Sequence, residues 1–98
     1  MAKRTPWGPA QHVEELASGI EFYSTASHGG VKLSPKRLAE MPESLASIGG
    51  RISGRRGWFE EDCEIAAVIV AFPDLFPEAQ QQADARRTLK TYYQIEVE

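Results

Sequence analysis

Eight consecutive apolar residues, Ile65 to Phe72, sit inside the segment Gly57 to Phe76, which reads GWFEEDCEIAAVIVAFPDLF. Apolar side chains fall there too densely for a one-sided stripe, and a helix apolar over most of its circumference belongs inside a domain. The run is far short of the roughly 18–20 residues needed to cross a bilayer, so a core helix from about Trp58 to Phe72 is predicted, stopped by Pro73. The acids Glu60, Glu61, Asp62 and Glu64 would then lie in its first turn and complement the positive end of the helix dipole. Everything else in the chain has to be arranged around this element.

Ninety-eight residues are enough for one domain with one core. Cys63 is the single cysteine, which excludes an intrachain disulfide and any CxxC metal cluster, and suits a reducing cytoplasm. No apolar h-region follows the first basic residues, so no secretory signal is read there. Net charge is −3, which disfavours direct nucleic-acid binding. No membrane anchor and no cofactor is expected, and the protein is expected to be a monomer.

Residues 1–10 read as an arm, with Pro6, Gly8 and Pro9 around Trp7, whose indole is the natural anchor back onto the domain. In 20–25, Ile20 and Phe22 share one face while Glu21, Tyr23 and Thr25 share the other, the period of a half-buried strand. Gln11 to Leu16 suits either a strand or a short helix; with Ser18-Gly19 as the turn, 12–16 and 20–25 can make a hairpin, and 31–33 resumes as a third strand. Ser34-Pro35 starts a short helix, Pro42-Glu43 a second one, and Gly49-Gly50 closes it. Residues 49–57, GGRISGRRG, read as a mobile basic loop. A last helix begins near Pro77, with Ala79, Ala83 and Leu89 as its inward stripe. From Tyr93 the alternation with Ile95 and Val97 predicts a final strand. The expected architecture is α+β: a small antiparallel sheet, made of the N-terminal hairpin plus a C-terminal strand, packed by the central apolar helix and further helices.

Three sets of residues invite chemical readings. Cys63 with His28 or His12 has the residue types of a nucleophilic pair, but Asp62 and Glu64 flank the thiol and disfavour a thiolate, so a buried structural cysteine is the better reading. The acid cluster offers carboxylates, yet neighbours on a helix point about 100° apart; only Glu60–Glu64 and Glu61–Glu64 share a face, and no His joins them at metal spacing. Ser27-His28-Gly29-Gly30 lacks the length and the Lys-Ser/Thr of a phosphate loop and reads as a plain turn. No catalytic residue and no metal ligand is therefore assigned, and an enzyme is not expected. Arg51, Arg55 and Arg56 remain as a set able to meet a partner's acids.

The blocks TPWGPAQ (5–11), STASHGGVKLSP (24–35) and GWFEEDCEIAAVIVAFPDLF (57–76) together resemble a small uncharacterised domain found in proteins of proteobacterial phages, plasmids and other mobile elements. That resemblance implies a mobile-element context in a bacterial cytoplasm, and no activity. By size, charge and context the chain also resembles anti-CRISPR proteins. This second resemblance implies a protein partner, a CRISPR surveillance complex of type I, and inhibition of target DNA binding. Glu60, Glu61, Asp62 and Glu64, with Glu14, Glu15 and Glu21 on the sheet, would occupy Lys/Arg rows that otherwise hold phosphates, since Arg forks grip carboxylates as they grip phosphates. Steric occlusion is the other route. The alternative is a non-catalytic accessory or regulatory domain that binds its partner through Arg51, Arg55 and Arg56.

Overall fold

The computed structural model describes residues 4–96. Two short strands, β1 (Arg4–Thr5) and β2 (Gly8–Pro9), pair as a ribbon, followed by β3 (His12–Ala17), β4 (Ile20–Ser24) and β5 (Gly29–Leu33). Then come α1 (Pro35–Ala39), α2 (Glu43–Ala46), β6 (Trp58–Glu60), α3 (Ile65–Ala71) and α4 (Ala79–Tyr93). The main sheet runs β3-β4-β5-β6, every pair antiparallel. The α+β class is as expected.

The register divides the sheet into two faces. Ile20 opposes Leu33, Phe22 opposes Val31, and Val31 opposes Phe59. These side chains meet the helices, and Ile20, Val31 and Phe59 are fully buried beside Ala67, Val68, Ile48 and Leu89. Each such large side chain contributes roughly 1.5–3 kcal/mol by leaving water. On the other face Glu21 opposes Lys32 and Lys32 opposes Trp58. Trp7 closes over this face, edge-on to Trp58 with ring centroids 5.8 Å apart, while Tyr23 lies 5.0 Å from the same ring. Gly30 makes room for it: a Cβ there would fall against the Trp7 ring and the Phe59 carbonyl. The arm is pinned by its indole as the sequence suggested.

The expected helix over 58–72 is corrected. Trp58–Glu60 is the fourth strand of the sheet, and helix begins only at Ile65. Gly57, at φ 94°, turns the chain out of the loop, and the residues after it alternate faces against β5. The strong apolar run at 65–72 makes the preceding residues look helical by association, whereas Trp58 and Phe59 prefer a pleated surface. Residues 61–64 are a turn, so the acids do not form the first turn of a helix.

The expected C-terminal strand is corrected as well. Helix α4 runs through Tyr93 and ends on Gln94 in the left-handed conformation, φ 54°. The N–H groups of Gln94 and Ile95 both donate to the Leu89 carbonyl, and Lys90 pairs with Glu96 at 3.3 Å. The chain thus folds back on its own helix, and Tyr93 and Ile95 reach the core from a helix end and its cap. Val97 and Glu98 lie outside the described residues. The inward stripe of α4 is Gln82, Ala85 and Leu89, whereas Ala79 and Ala83 are exposed. Gln82 is inward because its Nε2 donates to the carbonyls of Ile69 and Phe76, which α3 and the following turn leave open.

Candidate functional site

The acid cluster separates into two buried and two exposed carboxylates. Glu64, the last residue before α3, is 0% exposed. Its Oε1 accepts from the Glu60 N–H at 3.0 Å and its Oε2 from the Ile52 N–H at 2.9 Å. One carboxylate therefore ties the end of β6 to the loop 49–57. Glu60, 3% exposed, accepts from the Asp62 N–H at 2.9 Å. Burial pushes the Glu60 carboxyl above its ordinary range, opposed by that N–H and by the N–H of Cys63, and the charge of Asp62 adds to the rise. Both residues were expected to meet a partner, and neither reaches the surface.

Glu61 and Asp62 remain exposed. Both backbones are fixed, since Glu61 N–H donates to Gly29 O at 2.9 Å and Asp62 N–H is held by Glu60. The Glu61 carboxylate lies over Gly29. Beside them is a polar cleft of roughly 280 Å³, bounded across by Thr25, Ser27 and His28. The His28 turn is self-contained: its N–H donates to Thr25 Oγ1 at 3.1 Å and its carbonyl accepts from the same hydroxyl at 2.9 Å. Cys63 is half-buried, and burial first, then Glu60, Asp62 and Glu64, raise its thiol pKa. That suits a structural thiol and opposes nucleophilic use. Among the described residues, no three His, Cys, Asp or Glu side chains are grouped to hold a metal ion. No helix of the described residues is long and apolar enough to cross a membrane.

The remaining acids are not drawn to this shoulder. Glu14 and Glu15 project from β3, the opposite edge of the sheet, three strand spacings or about 14 Å from β6. Glu14 lies 3.8 Å from His12, and Glu21 accepts from the Tyr23 hydroxyl at 2.9 Å. The candidate carboxylates thus form two separate sets.

The backbone of the basic loop is hydrogen-bonded at several points. Gly50 N–H donates to Trp58 O, Gly54 N–H to Gly50 O, and Ile52 N–H to Glu64. Gly49 lies so close to the Phe59 ring that a Cβ would stand 2.6 Å from it. Of the three arginines, Arg56 grips Glu43 with both guanidinium nitrogens, at 2.8 and 3.1 Å. That contact lowers the Glu43 pKa and raises that of Arg56. Arg51 stacks over Tyr93 at 5.2 Å. Arg55 is exposed and has no side-chain partner among the described residues.

One surface went unnoticed in the sequence. Between α3 and the antiparallel start of α4 runs a groove of roughly 370 Å³. Its floor is Ile65, Ala66, Ile69 and Ala85, and Asp62, Glu78 and Asp84 stand at its sides. The small residues Ala66 and Ala85 were the available signal, because they leave a trough where two helices meet.

No curated protein and no solved structure matches the chain. A family model described as a domain of unknown function, DUF7007, matches residues 1–98, and the chain belongs to that family.

Proposed function

We propose that this domain is a non-catalytic protein-binding inhibitor of the anti-CRISPR type, which engages a basic, nucleic-acid-binding surface of a type I surveillance complex and blocks its access to DNA. The observation that carries this reading is the Glu61–Asp62 pair. Two exposed carboxylates stand on a backbone fixed by β5 and by the buried Glu60, and so pay little entropy on meeting arginine forks. Glu60 and Glu64 drop out of the contact set and become its support. With only two carboxylates on this shoulder, steric occlusion accompanies the charge contact.

The test is binding of the tagged protein to purified type I complexes, with and without target DNA, across a salt series. Salt-sensitive binding that excludes DNA and is lost in Glu61→Lys/Asp62→Lys supports the reading. Unchanged binding by that double variant sinks the acidic contact, and no binding to any complex sinks the inhibitor.

A second reading has its own observation. Glu64 holds the Ile52 N–H of a surface loop, and in the same loop the Arg55 N–H donates to Ser53 Oγ at 3.2 Å. An accessory domain that binds an acidic partner through this loop should lose its partner in Arg55→Glu and keep it in Glu61→Lys/Asp62→Lys.

A further inference from the structure

Two surfaces of opposite character meet at the N-terminal end of α3. The first is the groove, with an apolar floor and with Asp62 and Glu78 free of ion pairs among the described residues; Asp84 is already taken by Arg87 at 2.9 Å. The second is the loop tip, where Ile52 is 57% exposed and Arg55 is unpaired. Ile52 is not among the hydrophobic residues packed on the core. Yet the Ile52 N–H is anchored to a fully buried carboxylate, which fixes where that tip stands.

We infer that a second copy of this chain docks here, its Ile52 entering the groove and its Arg55 meeting Asp62 and Glu78. The match is one of charge: Arg55, exposed and without a side-chain partner among the described residues, would meet a groove walled by Asp62 and Glu78, both free of ion pairs among them, while Ile52 would lie over its apolar floor. Glu64, which holds the loop, directly precedes the α3 residues that line the groove, so loop and groove are neighbours on one molecule. In a two-fold pair each copy would offer its loop to the other's groove, so that the two contacts close the dimer. This replaces the monomer expected from the sequence. It is independent of the inhibitor reading except that both use Asp62.

Sedimentation equilibrium over a concentration series, at low and high salt, tests it. The expected result is a monomer–dimer equilibrium weakened by salt. Ile52→Glu and Asp62→Lys/Glu78→Lys should each weaken association by roughly tenfold or more, with melting curves close to the wild type at concentrations where the wild type is monomeric, because all three residues are exposed. Mixing the two variants should restore association above that of either alone, since one brings an intact groove and the other an intact loop. A monomer up to the solubility limit overturns the proposal. So does a dimer insensitive to both variants, or a mixture no better than its components.

Discussion

Glu64 has an unusual position for a carboxylate: fully buried and satisfied by two backbone N–H groups. Such charge-assisted bonds offset much of the cost of burial. Glutamine has one oxygen in place of two, and its NH2 would face an N–H donor. Glu64→Gln should therefore destabilise the fold by about 2 kcal/mol, the cost of an unsatisfied buried donor, as read from urea denaturation. Glu60 behaves oppositely. Its carboxyl is raised above the ordinary 4.5 by burial, so the folded state holds its proton more tightly than the unfolded state does. The sign follows: this group's contribution is fully present below pH 4.5 and is lost as pH rises through the folded value. Glu60→Gln keeps an acceptor for the Asp62 N–H and removes the charge. It should gain stability over wild type at pH 7, and the gain should vanish near pH 4; a constant difference across that range would contradict the assignment.

At the scale of elements, α4 ends on a residue poorly suited to its backbone. Gln94 sits at φ 54°, a region that glycine enters without strain. Gln94→Gly should stabilise by about 0.5–1 kcal/mol, seen as a higher melting temperature. Much of the element order was legible, because local chemistry and tertiary demand agree there. Ile20 and Phe22 against Glu21 and Tyr23 define a half-buried strand, the N-cap Ser34 Oγ accepts from the Arg37 N–H at 3.2 Å, and Pro42 precedes a short helix. The rest was hidden where two patterns overlap. Trp58–Glu60 abuts an apolar run whose helical character spreads over it, and only pairing with β5 makes it a strand. Tyr93 and Ile95 alternate like a strand, yet the helix cap delivers both to the core. The acids were placed correctly in the chain and wrongly in depth. Nothing local distinguishes Glu61, which is exposed, from Glu64, whose two N–H partners come from Ile52 and Glu60 once the fold is made.

For the molecule as a whole, the exposed acids Glu61 and Asp62 and the basic loop flank one buried anchor. The sheet stacks its apolar face on α2, α3 and α4, and leaves the loop with little apolar burial of its own. Glu64 is thus the link on which both candidate surfaces depend, and its loss should loosen the loop before the core. Amide hydrogen exchange by NMR tests this most directly. In the wild type the Ile52 N–H should exchange far more slowly than the exposed loop amides beside it, and Glu64→Gln should accelerate Ile52 while the amides of β4 and β5 stay protected. An Ile52 amide that exchanges as fast as its loop neighbours in the wild type would contradict the anchor and, with it, the ordered presentation of both surfaces.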